Sequence, residues 1–226
     1  FVRQEPTTAY SASGTSLTLT SATSSSDDMY CVFLGKAVQT VNPPNASVGL
    51  SQLTATGTKD ATTFLRGDNT FAAAGITEAD CWRMTTDVSG SGADLTSWER
   101  DDDAAAGYLG TGMSQSSGIF TFPTTGIWYV NFNCTVYHTG GGMNFYTKLD
   151  STINNSTYSE HARARAQQPS GSYGNMTGSC NAIIDVTNTS NVKVKFSFYS
   201  GVTSAYVQGN SDINITAATF IRLGST

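Results

Sequence analysis

Residues 118–132 read Gly118-Ile119-Phe120-Thr121-Phe122-Pro123-Thr124-Thr125-Gly126-Ile127-Trp128-Tyr129-Val130-Asn131-Phe132, and the chain continues Asn133-Cys134-Thr135-Val136. Trp128, Val130, Phe132, Cys134 and Val136 share one parity, while Asn131, Asn133 and Thr135 share the other. That period of two is the mark of a half-buried strand with one face in a core. Pro123 cannot donate a ladder hydrogen bond and Gly126 tolerates positive φ, so the pair brackets a reversal between two strands. The stretch therefore predicts a strand over 118–122, a turn, and a second strand over 126–137.

Working outward, strand signals recur at 81–86, 143–149, about 156–165, about 177–186, 192–199 and 213–223. The alternation is clearest in Val192-Lys193-Val194-Lys195-Phe196-Ser197-Phe198, where lysines are expected to face out and apolar groups in. Charged residues make up 13% of the 226, Gly numbers 22, and helical apolar spacing is scarce. The chain reads as all-β, and eight or so strands suit a two-sheet jelly roll.

A strand Gly-x-Phe-Thr followed by Pro-x-x-Gly-Ile-aromatic-Tyr and alternating apolar residues resembles the hairpin of the complement-1q/tumour-necrosis-factor-like jelly roll. The closing Ala217-Ala218-Thr219-Phe220-Ile221-Arg222-Leu223 resembles that family's last strand, with Ala218-Thr219-Phe220 where the family has small-Gly-Phe. The resemblance covers about residues 81–226 and implies a trimeric head domain. Two further stretches resemble parts of bacteriophage fibres. Phe1-Val2-Arg3-Gln4-Glu5-Pro6, Tyr10 and Tyr30-Cys31-Val32-Phe33-Leu34-Gly35 resemble the end of a small shaft β-module. Thr62-Thr63-Phe64-Leu65-Arg66-Gly67-Asp68-Asn69-Thr70-Phe71 resembles the collar in which three chains wrap around one another. Three regions follow: 1–40 a partial shaft module, 41–80 a linker and collar (Phe64, Leu65, Arg66, Asp68, Phe71), and 81–226 the head.

In the first region, strands are expected at Ser16-Leu17-Thr18-Leu19-Thr20 and Met29-Tyr30-Cys31-Val32-Phe33-Leu34, and in the second Val41-Asn42-Pro43-Pro44-Asn45 reads as a stiff linker. The first residue is Phe1, which reads as a fragment or a processed product. A net charge of −5 without a Lys/Arg cluster argues against nucleic acid as a partner. No apolar run reaches the ~20 residues of a spanning helix, so membrane insertion is not expected.

Cys31, Cys81, Cys134 and Cys180 are too scattered for a zinc site or a disulfide framework. They read as buried free thiols, with a Cys134–Cys180 bridge between strands as the alternative. Asp101-Asp102-Asp103 is either a solvated acidic turn or a source of calcium ligands, though it lacks the spacing of a dedicated loop. The two histidines, His138 and His161, have no sequence link to a nucleophile, and carboxylates are sparse. Neither a Ser/His/Asp triad nor a glycosidase pair is supported, and no cofactor or metal is expected. Arg66-Gly67-Asp68 matches the tripeptide that integrins recognise; a structural turn with Arg66 and Asp68 paired or capping backbone is the favoured reading. His161, Arg163 and Arg165 alternate with alanines, placing three cationic groups on one strand face. That face is read as solvated, as a subunit contact, or as a site for an anion or acidic glycan.

The expected function is that of a virion protein: a tail or capsid fibre on the particle exterior, homotrimeric, attached to other virion proteins and binding a host-surface glycan or protein. The alternatives are a capsid decoration fibre, an extracellular complement-1q/TNF-like ligand, and a polysaccharide depolymerase. Strand parity sends the Pro123–Gly126, 150–155 and 187–191 connections to the shaft end. The opposite tip then carries His138, the 166–176 loop with Tyr173 and the 200–212 loop with Tyr206, the expected receptor-binding residues. Tyrosines that cover loop backbone or a subunit seam are the competing reading.

Overall fold

A computed structural model describes residues 4–32, 48–73, 75–140, 142–170 and 174–226. By its internal contacts the chain divides into two units, Phe1–Leu53 and Thr54–Thr226. This boundary falls elsewhere than the sequence division at 40 and 80, with residues 54–80 grouped with 81–226. In the first unit β1 (Tyr10–Ser13) pairs with β2 (Ser16–Leu19), and a single 3-10 turn spans Leu50–Gln52. Met29, Tyr30 and Val32 are exposed and form no strand, contrary to expectation. A two-stranded ribbon offers them no ladder or core. Residues 33–34 of that expected strand and the 41–45 linker lie outside the described residues.

The second unit opens with the hairpin β3 (Thr63–Leu65) and β4 (Phe71–Ala73). Then come β5 (Ala79–Met84), β6 (Val88–Ser89), β7 (Trp98–Arg100), β8 (Ser114–Ser116) and β9 (Ile119–Thr121). The long β10 (Gly126–His138), β11 (Asn144–Thr152), β12 (Ser159–Gln167) and β13 (Gly174–Val186) follow. The chain closes with β14 (Lys193–Ser200), β15 (Tyr206–Val207) and β16 (Ala217–Gly224).

Eight of these strands pair in nested fashion, all antiparallel: β5 with β16, β9 with β14, β10 with β13, and β11 with β12. The nested ribbon folds over, so that β10 also pairs with β16 and β11 with β14. Two sheets result, one running β5-β16-β10-β13 and the other β9-β14-β11-β12, with the short strands extending their edges. The fold is a jelly roll.

The period of two in β10 holds except at Thr135, which is buried on the outward parity. Trp128 is 1% exposed, and Val130, Phe132, Cys134 and Val136 are fully buried. They meet the inward residues of β14 and β16 in one aromatic cluster, with ring centroids 4.6 Å apart for Phe132–Phe196, 5.1 Å for Phe120–Phe220 and 5.4 Å for Trp98–Phe120. Each such ring removed from water contributes about 1.5–3 kcal/mol. The reversal at Pro123–Gly126 is not a hairpin, since β9 pairs with β8 and β14 in one sheet and β10 with β13, β15 and β16 in the other. Two glycines make the turns before β9 and β10 buildable. Gly118 has φ +80 and Gly126 φ +139, and a Cβ would lie 2.2 Å from the Leu95 carbonyl oxygen or 2.4 Å from that of Gly224.

One expectation for β14 fails at a single residue. Lys195 faces outward, but Lys193 is 8% exposed, its Nζ donating to Thr121 Oγ1 at 2.9 Å and to the Thr189 carbonyl at 2.8 Å. Pairing of β14 with β9 covers this end of the strand, and the burial pulls the lysine pKa down. Among the described residues no helix is long and apolar enough to cross a membrane.

Candidate functional site

The register places the connections where parity predicts. β10 begins beside Val186 and Gly224 and ends with His138 opposite Gly174. At that second, distal end the Gly142 N–H donates to the Pro169 carbonyl at 3.2 Å and the Gly201 N–H to that of Asn144 at 3.0 Å. The loops after β10, β12 and β14 thus converge on one tip. Tyr206 on β15 lies opposite Tyr137, with ring centroids 5.3 Å apart. Tyr173 lies outside the described residues.

His138 takes a different role from the expected receptor contact. It is 3% exposed; its Nδ1 accepts the Gly140 N–H at 2.8 Å, and its Nε2 lies 3.3 Å from Ser204 Oγ. With both ring nitrogens engaged, the imidazole ties the loop after β10 to the loop after β14. Its parity is that of the buried residues Cys134 and Val136, which turns it inward.

At the opposite end the β3–β4 hairpin lies beside the C-terminal strand. Phe64, Arg66, Ala72 and Ala73 line a hollow of about 240 Å³ with Arg222, Leu223 and Gly224. Arg66 and Asp68 are 3.7 Å apart and half exposed, and Asp68 Oδ1 accepts from the Thr70 N–H and hydroxyl at 3.1 and 2.6 Å. These hydrogen bonds, that of the Thr70 hydroxyl foremost, hold the Asp68 carboxyl below its ordinary range. The tripeptide is thus built as a turn, with Asn69 at φ 63. Phe64 and Leu65 are 50% and 45% exposed.

The acidic run is occupied. Arg83, 1% exposed on β5, donates Nε to Glu99 Oε1 at 2.8 Å and Nη1 to Asp101 at 3.0 Å; Asp102 accepts from Nη2, and Asp103 stands 3.2 Å from Nη1. Hydrogen bonding to Glu99, ahead of the other carboxylates, raises the guanidinium pKa. Among the described residues no group of three or more His, Cys, Asp or Glu is set to hold a metal ion. A similar arrangement nearby ties the 87–117 region down. Buried Asp80 receives the Met113 N–H, the Trp82 indole at 2.9 Å and Arg100, whose guanidinium lies over the Trp82 and Tyr108 rings.

Cys134 and Cys180 are both buried and free. They sit on paired strands but diagonally, since Cys180 is opposite Phe132 and Cys134 opposite Gly178, so the alternative bridge is not formed. Burial pushes both thiols up, which leaves them poor nucleophiles. Cys81 is partly buried, whereas Cys31 is exposed, contrary to the reading of all four as buried.

On the outer face of the second sheet, β12 presents His161, Arg163 and Arg165 as expected, with the intervening alanines turned toward the core. The register adds what no local pattern announces: Tyr146 of β11 lies between Arg165 and Tyr199. The two tyrosine rings stack with centroids 4.7 Å apart and planes at 15°. The Arg163 guanidinium lies 4.3 Å and that of Arg165 5.6 Å from the Tyr146 ring centre. Glu160 accepts from Arg163, and this hydrogen bond, foremost among the nearby cations, holds its carboxyl below the ordinary range.

Two solved structures align with part of this chain. Eiger TNF from S. frugiperda aligns at 12% identity over 66% of this chain and 93% of its own, with a TM-score of 0.49. Murine APRIL, solved at pH 5.0, aligns at 12% identity over 65% and 98%, with a TM-score of 0.46. No protein-family model and no curated protein matches the sequence.

Proposed function

We propose that this chain is the terminal part of a bacteriophage fibre on the virion exterior, a homotrimer whose jelly-roll head attaches the particle to its host. The observation that carries the reading is the β3–β4 hairpin. It bears the collar-like sequence, is too small to bury its own apolar residues, and leaves Leu65 half exposed and Phe64 half exposed beside the exposed Leu223. On the outward face of the first sheet Tyr129 lies between Ile183 and Ile221, and Ile183 is 54% exposed. Second and third copies of the chain would cover this row and the hairpin together, which is how a closed symmetric assembly removes apolar surface.

The distal tip, opposite the hairpin, is the surface proposed to meet a host glycan or protein. Tyr173 and Tyr206 are its aromatic contacts, with His138 as the anchor that positions the loops. The head acts by binding rather than catalysis, and the attachment of the fibre to other virion proteins lies at its other end. Electron microscopy of particles labelled with antibody against the head tests the assignment: label at fibre tips is expected, and particles without label would overturn it. The Tyr173→Ala/Tyr206→Ala double variant is expected to form intact trimers that adsorb poorly. Normal adsorption would remove the distal-tip assignment.

A second reading, an extracellular ligand of the complement-1q/TNF-like kind, draws on the nested pairing of the eight head strands alone and leaves the collar-like hairpin without a role. The same labelling experiment separates the two.

A further inference from the structure

We propose that the outer face of the β12-β11-β14 sheet carries a binding groove for a carboxylate-bearing sugar, centred on Tyr146, Tyr199 and Arg165. The groove has a volume of about 570 Å³ and is lined by these three with Asn144, Gln167 and Gly201, among others. That size falls within the range of roughly 300–1,000 Å³ found for small-molecule sites. On a chain of net charge −5, no carboxylate among the described residues lines the groove, and the charged group that does is a guanidinium.

The other cations of this face are engaged: Arg163 with Glu160, Lys148 with Asp150 at 3.7 Å, and Lys195 with Asp94 at 2.8 Å. Among the described residues Arg165 has no carboxylate partner within ion-pair distance. Its planar fork is thereby left to donate two parallel hydrogen bonds to a carboxylate. The stacked tyrosines supply a rigid aromatic wall on which the C–H face of a pyranose can lie, and Tyr199 is 44% exposed. The side chains of Asn144 and Gln167 offer both donors and acceptors to ring hydroxyls. A carboxylate on a sugar satisfies all three features at once; a bare anion would leave the tyrosines and amides unused.

The inference deepens the attachment reading by naming a ligand class, and it rests on that reading only in taking the sugar to be the host's. The purified chain is titrated calorimetrically with sialyllactose and with a hyaluronan tetrasaccharide, and with lactose and cellotetraose as neutral counterparts. Binding of either acidic probe at least tenfold tighter than its neutral counterpart is expected, and which one binds distinguishes sialic from uronic acids. Arg165→Gln is expected to weaken that binding at least tenfold and Arg165→Lys less. Tyr199→Ala is expected to weaken it about tenfold while Tyr199→Phe retains it. These residues are on the surface, and unchanged melting temperatures establish that the variants are folded.

Equal affinity for acidic and neutral sugars, no binding of either acid, or equally tight binding of a glutamate-rich peptide would each overturn the proposal. Particle adsorption is measured separately. No binding of either acidic sugar by the native head, with adsorption still blocked by antibody against the head, removes the groove and leaves attachment standing. Sugar binding by the native head, with particles that adsorb normally when the head is blocked, does the reverse.

Discussion

Arg83 shows how a run that looks like a ligand set can be spent on a single side chain. A guanidinium enclosed on β5 has Glu99, Asp101, Asp102 and Asp103 around it, and Asn214 Nδ2 donates to Asp101 at 2.6 Å. Arg83→Gln leaves those acids facing one another without their counter-charge. A loss on the order of 3 kcal/mol is expected by urea unfolding, toward the low end for a broken buried pair because Asp102 and Asp103 keep contact with water. With these carboxylates committed to an arginine, EDTA is expected to leave the melting temperature of the head unchanged; a large drop would return the acidic run to metal binding. Glu160 makes an acid-sensitive contribution. Its folded pKa is depressed below the ordinary 4.5, chiefly by the Arg163 hydrogen bond. The stabilisation is therefore whole above that ordinary value and is lost as pH falls through the lower folded one. Melting curves between pH 3 and 6 are expected to be less steep in pH for Glu160→Gln than for the native chain.

At the scale of the element, β10 is the strand to which the rest of its sheet is joined, with β13 along one edge and β16 then β15 along the other. Phe132 sits at its middle, fully buried against Phe196 and Trp98. Phe132→Ala is expected to cost about 3–5 kcal/mol, read as a lower denaturation midpoint at unchanged slope. The turn that starts the strand is equally constrained. Gly126→Ala would need positive φ and push a methyl into the Gly224 carbonyl, parting β10 from the end of β16. A loss of about 1–3 kcal/mol is expected, and with it faster amide exchange at Arg222–Gly224.

For the whole molecule the decisive quantity is the apolar surface that one copy leaves uncovered. Ile183 stands out from β13 beside Tyr129, and the exposed Phe64, Leu65 and Leu223 lie at the hairpin end of the same unit. Light scattering is expected to give three times the chain mass. Ile183→Asp, which places a charge in the covered row, is expected to shift that mass toward one chain while far-UV circular dichroism stays β-like. A native chain that remains single across a wide concentration range would remove the trimer and the collar with it.

The all-β class, the parity of β10 and the alternation of ends were legible in the sequence because they follow from local rules: a strand's faces repeat every two residues, and antiparallel connections alternate. The turn at Arg66–Thr70 was legible for the same reason, since Asp68 accepts from Thr70, two positions away. What local rules do not reach is which strands become neighbours. Tyr146 and Tyr199 are far apart in the chain and meet because β11 pairs with β14 in one register, so the groove beside Arg165 exists only in the folded sheet. The same holds for Arg83, whose acidic partners arrive from β7 and the loop after it, and for Lys193, which β9 covers. His138 had the composition of a contact residue and the parity of a core residue, and parity prevailed because the tip loops close over it. Sequence by itself determined the long strands of the jelly roll and, Lys193 apart, their inward faces, for these depend on neighbours along the chain. Tertiary structure alone decided which polar side chains are consumed in pairing and which remain open to a ligand, because that depends on charges brought together across the sheet.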